Sequence, residues 1–309
     1  MRIAIIWKEY KFLLSSIIIV LVIITVILGI LSMNKPALEF DGSRANKDVK
    51  YQVGLGPRTV GSEAHEQTAN WIISELRNLN WQVNTQETVN SNQTIKNIIA
   101  QRGAGTPWVI IASHYDSRLI ADMDSDPLKR KQPVMGANDG ASTVAILLEL
   151  ARVLPTKLNK QIWLVFFDDE DNGTKSGSGW DIGSANFISK LQGNPDDVVV
   201  LDMVGDKDLD IYMERNSNPD LNTEIWNVAQ ELGYSQFIPT YKHDLIDDHI
   251  PFIQAGIRVV DVIDFDYPYW HTTSDTLDKV SAESLKVVGD TILKWLEQYP
   301  NRTVIKLTK

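Results

Sequence analysis

The chain has 309 residues, a formal net charge of −10 and no cysteine, with 43% apolar and 23% charged residues. This composition is typical of a folded globular protein and excludes a disordered one. The absence of cysteine excludes disulfides, a thiolate nucleophile and a cysteine-ligated metal. The acidic charge, with no cluster of Lys and Arg in the sequence, argues against nucleic-acid binding.

Residues 12–33 form the uncharged apolar stretch FLLSSIIIVLVIITVILGILSM. Its length is that of a bilayer-spanning helix, and it predicts a transmembrane signal anchor preceded by a cytoplasmic tail over residues 1–11. A cleaved signal peptide would have a shorter apolar core and a small-residue cleavage site, and a buried core helix would have a polar face. Arg2, Lys8 and Lys11 precede the stretch. The positive-inside rule therefore predicts a single-pass plasma-membrane protein, tied to the lipid bilayer, with everything after Met33 outside.

Residues 34–50 are mixed and polar and predict a juxtamembrane linker, which leaves residues 51–309 as the folded domain. Apolar residues at helical spacing over residues 63–79 predict an amphipathic helix. Later apolar runs have the length of buried strands, and helix-like segments separate several of them. The strand runs are Ile98–Gln101, Trp108–Ser113, Ile162–Phe167, Val198–Met203 and Arg258–Ile263, and the helical segments cover 142–154, 183–191, 221–232 and 282–296.

Near-continuous apolar strands alternating with helices predict an α/β fold, a three-layer αβα sandwich with a mostly parallel mixed central sheet. Ligands of such sheets bind outside the carboxyl ends of the strands. Four polar positions directly follow predicted strands: His114, Asp168–Asp171, Asp202 and Asp264. Each one alone also suits a solvated loop, but together they indicate a site at one edge of the sheet.

Without cysteine, a zinc site must use histidine and carboxylate side chains. Two of the five histidines, His65 in a predicted surface helix and His243 in a polar loop, are expected to be solvated. His249, in DDHIPF, is expected to be a packing or supporting residue. His114 opens HYDSR, where Asp116 is placed to hydrogen-bond the imidazole and fix its tautomer.

Three further segments supply candidate ligands. Asp139 lies in the glycine-flanked turn GANDGAST, which also suits a helix N-cap. The segment FFDDEDNG places four consecutive acids after a buried strand, which is electrostatically costly unless a cation is bound or the loop is solvated. Trp270 and His271 open a loop before the last helix.

Together these residues resemble the zinc-dependent aminopeptidase family that includes the glutaminyl-peptide cyclotransferases. The matching stretches occur in the family's order between Gly56 and Leu296: GPRTVGS, HYDSR, GANDGASTVAILLELAR, FFDDED, LDMVG, DDHIPF and YWHTTSDTLD. The resemblance implies a zinc-dependent catalytic domain with one or two zinc ions and with Glu170 as the general base. It implies these metal positions: His114, Asp139, Asp171, Asp202 and His271.

The two branches of the family use these positions differently. In aminopeptidases, the counterpart of Asp139 bridges two zinc ions. In cyclotransferases, the counterparts of Asp139, Asp171 and His271 hold a single zinc. The remaining carboxylates, Glu170, Asp202 and Asp247, then match a network that handles protons.

Several details resemble the cyclotransferase branch. The stretch after Asp171 is long and contains Trp180, an Asp247–Asp248 doublet precedes His249, and Trp270 precedes His271. The resemblance implies that Trp180 and Trp270 bind substrate as aromatic walls, although loop anchoring remains an alternative for each.

The expected function is cyclisation of an amino-terminal Gln of a peptide or protein to pyroglutamate, with release of ammonia. The alternatives are a zinc aminopeptidase and, more remotely, a non-catalytic peptide-binding ectodomain, against which the complete ligand set argues. Asp171 departs from the glutamate usual in the family, which leaves the assignment within Asp168–Asp171 open by one position. The acidic loop with Asp122, Asp124 and Asp126 matches no family role, so calcium binding and solvation both stay open.

Overall fold

The computed structural model describes residues 39–90, 92–172 and 181–299. The predicted tail, the anchor over residues 12–33, the start of the predicted linker and Trp180 lie outside these residues. Within the described ranges, no helix is both long and apolar enough to span a bilayer.

The described residues contain eight strands, in two sheets. They are β1 (Gln82–Asn90), β2 (Gln93–Arg102), β3 (Trp108–His114), β4 (Gln161–Phe167), β5 (Asp197–Asp202), β6 (Ile211–Met213), β7 (Phe237–Tyr241) and β8 (Val259–Ile263). The central sheet has the order β1-β2-β4-β3-β5-β8, and β6 pairs with β7 in a small separate sheet. Strands β4, β3, β5 and β8 are parallel, whereas β2 is antiparallel to both β1 and β4. The predicted mixed, mostly parallel sheet is confirmed.

Helices surround this sheet, and polar side chains fix where several of them begin. The α-helices are α1 (Gly42–Leu55), α2 (Glu63–Asn78), α3 (Ala141–Val153), α4 (Ile182–Lys190), α5 (Pro219–Glu231), α6 (Ile250–Gln254) and α7 (Ala282–Gln298). Ser62, Asn218 and Ser281 accept backbone N–H hydrogen bonds at the starts of α2, α5 and α7. These caps satisfy N–H groups that lack a partner within the helix.

Both faces of the sheet are buried. Ile110 and Ala112 of β3 pack in a cluster with Phe187 of α4 and Phe252 of α6. Because side chains alternate along a strand, Val109 and Ile111 point to the opposite face, where α3 contacts β3, β4 and β5. Val109 and Ile111 are also buried, so the predicted three layers are present.

The linker predicted over residues 34–50 differs from the structure from Gly42 onwards, where α1 packs on the domain. Arg44 and Asp48 form ion pairs with Glu149 and Arg152 of α3. Gly42 lies so close to α7 that a Cβ would be 2.1 Å from the Ala282 carbonyl oxygen. The segment looked like a linker because polar contacts, rather than a broad apolar face, attach much of it to the protein.

Candidate metal centre and active site

The polar residues predicted at strand ends do meet at one edge of the sheet. His114 ends β3 and Asp202 ends β5, while Asp168–Asp171 follow β4. These three strands are parallel, so their carboxyl ends point the same way. Asp264 also follows its strand, but its carboxylate accepts the backbone N–H groups of Asp210 and Asp266 and so holds loops instead.

The candidate ligands lie around Asp139, with one pair on each side of its carboxylate. On one side, His114 Nε2 is 3.1 Å from Asp139 Oδ1 and 3.2 Å from Asp202 Oδ1. On the other, His271 Nε2 is 3.8 Å from Asp139 Oδ2 and 3.0 Å from Asp171 Oδ1. All five side chains are buried. The arrangement offers two adjacent cation positions that share Asp139.

The donor set fits zinc. Ligand atoms of His114, Asp139 and Asp171 all lie within 4.8 Å of one another. Among the described residues, Asp139 Oδ2 and Asp171 Oδ2 are buried without a hydrogen-bond partner. Buried carboxylates without partners are costly unless a cation or a proton compensates them, and histidine with carboxylates is a common zinc ligand set.

The carboxylates of the acidic run Asp168–Asp171, which follows β4, have different partners. Asp168 accepts from the Lys96 N–H and lies 2.7 Å from His65 Nε2, and Asp169 accepts from the Asn90 amide at 3.0 Å. Only the next two residues face the site, with Asp171 beside His271 and Glu170 lining the cavity. The assignment within Asp168–Asp171 was open by one position, and these contacts favour Asp171 as the metal ligand and Glu170 as the candidate base.

His65 is not solvated as its helical position suggested. Its side chain is buried, contacts Asp168 and stacks on the Tyr115 ring at 5.0 Å between centroids. The sequence did not reveal this because the partners lie on other elements, β4 and the end of β3. His243 is partly exposed, as expected for a polar loop.

Asp116 supports both the His114 side and the acidic run. Its Oδ1 is 3.5 Å from His114 Nδ1, and its two oxygens accept the N–H groups of Glu170 and Asp171 at 3.3 and 3.2 Å. One carboxylate thus lies beside a candidate ligand ring and holds the backbone that carries two further site residues. Such outer partners orient metal ligands.

The turn that carries Asp139 is held by groups that the sequence alone did not identify. Asp275 accepts the N–H groups of Asn138 and Asp139 at 2.9 and 3.2 Å. The fully buried Arg58 donates to the carbonyl groups of Gly136 and Asp139. No side chain caps α3, whose N-cap position is Gly140. The alternative role of Asp139 as a helix cap is therefore wrong.

Three titrating groups at the site have shifted pKa values. Burial, reinforced by the charge of Asp171, raises the pKa of Glu170 well above its usual value. Burial and the charge of Asp202 raise the pKa of Asp247 to about 7. Burial lowers the pKa of His271, but hydrogen bonding to Asp122 and Asp171 outweighs it, and the pKa rises to about 9.

A cavity of about 350 Å³ opens onto the ligands. The polar part of its lining is Asp139, Glu170, Asp171, Asp202, Asp244, Asp247 and His271, and the apolar part is Met203, Leu245, Ile246, Ile263, Phe265 and Trp270. The Trp270 ring stacks on His271 with 4.0 Å between centroids. The cavity therefore combines metal-ligand atoms, free carboxylates and an aromatic wall.

Behind the cavity lies a second buried group of acids around His249. His249 Nε2 is 3.4 Å from Glu214 Oε2, and Nδ1 is 3.6 Å from Asp261 Oδ2. Ligand-type atoms of Asp247, His249 and Asp261 lie within 4.8 Å of one another. Asp247 belongs to both this group and the cavity lining, so His249 lies one residue layer behind the cavity, in the supporting position expected for it.

Comparisons with known proteins identify the family of the chain. The sequence profile described as Peptidase family M28 matches residues 97–296. A glutaminyl-peptide cyclotransferase of Drosophila melanogaster is 25% identical over 276 residues, covering 76% of this chain and 75% of that relative.

Two solved structures have nearly the same fold as the chain. A glutaminyl cyclase of Porphyromonas gingivalis matches with a TM-score of 0.79 and 29% identity, covering 85% of this chain and 99% of that one. A Zn-dependent exopeptidase of Parabacteroides distasonis matches with a TM-score of 0.78 and 30% identity, covering 83% and 97%. The family profile spans most of the chain and includes every candidate ligand. The chain belongs to peptidase family M28.

Proposed function

We propose that the chain is a zinc-dependent glutaminyl-peptide cyclotransferase, which converts an amino-terminal Gln of a peptide or protein to pyroglutamate. One observation carries the proposal. The described lining of the cavity includes Asp139, Asp171 and His271 together with the carboxylates of Glu170, Asp202 and Asp247, but not His114. The substrate space thus meets one three-residue zinc set beside a separate group of acids.

Asp139, Asp171 and His271 would hold the zinc, which would supply a Lewis acid for the γ-carboxamide carbonyl of the substrate Gln. The Oδ2 atoms of Asp139 and Asp171 are buried without a hydrogen-bond partner among the described residues, which suits carboxylates that would hold a cation. Asp116 and Asp275 hold the backbone of two of these ligands through N–H hydrogen bonds.

Glu170 handles the proton. The substrate α-amine nitrogen forms a bond to the γ-carbonyl carbon while the bond from that carbon to the amide nitrogen breaks. Glu170 takes a proton from the attacking amine and gives it to the departing nitrogen, which leaves as ammonia. Burial and the charge of Asp171 raise the pKa of Glu170, which makes its carboxylate a stronger proton acceptor than an ordinary glutamate.

Asp202 and Asp247 tune this transfer. Both line the cavity, and the charge of Asp202 contributes to raising the pKa of Asp247 to about 7 after burial. Neighbouring buried carboxylates share protons because two negative charges at short distance in a dry site are costly. The pair therefore stabilises a protonation state in which Glu170 can act as the base.

The apolar part of the cavity favours cyclisation over hydrolysis. Leu245, Phe265 and Trp270 line the space next to His271, and their rings and side chains restrict water there. Exclusion of water matters because water competes with the α-amine as nucleophile. Trp270 is the substrate-binding wall of this proposal, and Trp180 stays a prediction from the sequence.

An aminopeptidase is the second candidate, and a specific observation favours it. His114 Nε2 lies 3.1 Å from Asp139 Oδ1 and 3.2 Å from Asp202 Oδ1. These residues would hold a second zinc next to the first, and two zinc ions activate water for hydrolysis. The Parabacteroides distasonis structure is named a Zn-dependent exopeptidase, whereas the Drosophila melanogaster and Porphyromonas gingivalis proteins are named as cyclases.

Membrane attachment is part of the proposal. Its support is the length of the apolar stretch over residues 12–33 and the basic residues Arg2, Lys8 and Lys11 before it. We propose a single-pass plasma-membrane protein with the catalytic domain outside the cell. Protease added to intact cells should release the catalytic domain, and retention of the whole chain in the soluble cell fraction would contradict the anchor.

The test of activity uses the zinc-loaded protein, a Gln-initiated peptide and a Leu-initiated peptide, followed by mass spectrometry. Loss of one ammonia from the Gln peptide alone is the expected result. Loss of a whole amino-terminal residue from either peptide would identify an aminopeptidase instead. No change in either peptide, with zinc bound, would refute both candidates and leave peptide binding without catalysis.

A further inference from the structure

The acidic loop that matches no family role touches the loop of His271 at three consecutive residues. We call Asp122–Asp124 the acidic segment. Asp122 Oδ1 is 3.5 Å from His271 Nδ1, and the Met123 N–H donates to the His271 carbonyl at 3.2 Å. Asp124 Oδ2 accepts the Thr273 N–H at 3.1 Å and the Thr273 hydroxyl at 2.6 Å. The segment therefore contacts the His271 ring, the His271 carbonyl and Thr273, two residues further along the chain.

Protein groups donate hydrogen bonds to the carboxylates of both Asp122 and Asp124. Asp124 is only 5% exposed, and its other oxygen accepts the Asp126 N–H. Asp122 accepts two guanidinium N–H groups of Arg118, at 3.2 and 2.6 Å. The expectation of a solvated loop is wrong for Asp124, whereas the Asp122 side chain is 35% exposed, and calcium binding stays a prediction.

The two nitrogens of His271 face opposite ways. Nε2 points to the zinc ligands, 3.0 Å from Asp171 Oδ1, whereas Nδ1 points to Asp122. A metal-bound histidine commonly donates its second ring N–H to a carboxylate, which fixes the tautomer and the ring orientation. Asp122 stands in that position towards His271.

Arg118 links the same carboxylate to a second ligand. This arginine is 2% exposed, and it also donates a hydrogen bond from Nη1 to the Asp171 backbone carbonyl. The guanidinium therefore holds Asp122 in bidentate fashion while it holds the backbone of Asp171. The ion pair between Arg118 and Asp122 therefore contacts two candidate ligands from distant parts of the chain, Asp171 and His271.

The backbone of His271 makes such support necessary. Its φ is +53°, in the left-handed region, which is costly for a residue other than glycine and persists only where surrounding contacts enforce it. The Met123 N–H donates to the carbonyl of this residue, and the Asp124 carboxylate accepts the Thr273 N–H two residues later.

We propose that the acidic segment is a positioning device for the zinc ligand His271, in which Asp122 accepts the Nδ1 proton and orients Nε2 towards the metal. This inference rests on the proposed function, because it takes zinc to bind beside Asp139, Asp171 and His271. Asp122 acts through His271 and contacts neither substrate nor metal.

The test compares zinc affinity, measured by competition with a chromophoric chelator, in the wild-type protein and in Asp122→Asn. The substitution keeps the shape but weakens the acceptor, and loss of an outer carboxylate costs about 10- to 100-fold in metal affinity. Asp126→Asn is the matched control. It removes the same charge from the same loop, but the Asp126 carboxylate accepts the Leu128 N–H and not a group of His271. We expect its zinc affinity to stay within about twofold of wild type, since it has no role towards a ligand.

A double-mutant cycle separates positioning from a general structural effect. In a His271→Ala background, Asp122→Asn should change zinc affinity by less than about twofold, because the ring that it orients is gone. Equal weakening in both backgrounds, or unchanged affinity in Asp122→Asn alone, would overturn the inference. If Asp122→Asn does not fold, Thr273→Val tests the segment from the Asp124 contact, and unchanged zinc affinity there would equally overturn it.

Turnover of the Gln-initiated peptide, measured in parallel, keeps the two proposals apart. A wild-type protein that binds zinc without cyclising the peptide would refute the cyclotransferase function. Weakened zinc binding by Asp122→Asn would still support the positioning role in that case. Normal cyclisation together with wild-type zinc affinity in Asp122→Asn would refute the positioning role alone.

Discussion

Replacement of Glu170 by Gln is the sharpest test of the catalytic assignment. The two side chains have the same shape, but Gln cannot accept and release a proton. Glu170 lines the cavity and is 7% exposed, and it is not one of the proposed zinc ligands, which are Asp139, Asp171 and His271. The substitution should therefore remove the proton transfer and leave the metal in place.

The expected loss follows from the role that is removed. A positioned general base contributes about 10²- to 10⁴-fold to the rate. At about 1.4 kcal/mol for each factor of ten, this corresponds to roughly 3 to 5 kcal/mol of transition-state stabilisation. The loss should appear in kcat, because proton transfer belongs to the chemical step and not to the binding of the ground state.

The assay measures ammonia release from a Gln-initiated peptide and zinc content in the same preparation. The matched control is Asp169→Asn, one residue earlier in the acidic run. The Asp169 carboxylate accepts from Asn90, and burial raises its pKa to about 6, but it does not line the cavity. We expect the control to retain wild-type kcat within about threefold, as a residue outside the proton path should. A zinc-loaded Glu170→Gln variant with more than about a tenth of wild-type kcat would refute the role of Glu170.

Three further predictions concern the wall, the pH dependence of stability and the ligand turn. Trp270→Ala should raise KM for Gln-initiated peptides about tenfold, or about 1.4 kcal/mol, because the variant loses an aromatic wall; unchanged KM in steady-state kinetics would contradict this. Burial raises the pKa of Asp264 to about 7, so its contribution to stability is lost as pH rises through that value. Asp264→Asn should therefore become relatively more stable, in denaturant unfolding, at about pH 8 than at about pH 5. Gly140→Ala should cost about 1–3 kcal/mol, because φ is +84° and a Cβ would lie 2.7 Å from the Asp116 carbonyl oxygen. The control Gly233→Ala has φ +81° but open space, so equal losses of Tm would exclude a steric cause.

The strands and most helices were predictable because their apolar patterns are local. The run Trp108–Ser113 became β3 and the segment 282–296 became α7, with ends displaced by one or two residues. The edge strand β1 was missed because its sequence, QVNTQETVN, is mostly polar and only pairing with β2 makes it a strand. Helix α1 was missed for a related reason, since ion pairs with α3 hold it.

The sequence predicts the site residues that lie at strand ends, but it does not predict the contacts between loops that are distant in the chain. His114 and Asp202 end parallel strands, so their proximity follows from the fold. The pairing of Asp124 with Thr273 joins residues 149 positions apart, and neither local pattern nor strand order implies it. The burial of His65 against Asp168 spans 103 positions and escaped prediction for the same reason.

The geometry around Asp139 explains why one residue set can support two chemistries. Its Oδ2 is 3.8 Å from His271 Nε2, whereas its Oδ1 is 3.1 Å from His114 Nε2. On the proposed function, a metal held by Asp139, Asp171 and His271 would supply the Lewis acid for the substrate carbonyl, and the substrate's own amine would be the nucleophile. Hydrolysis also requires an activated water, which a second metal beside His114 would generate. We therefore propose that the choice between cyclisation and hydrolysis depends on whether His114 and Asp202 also hold a cation beside Asp139.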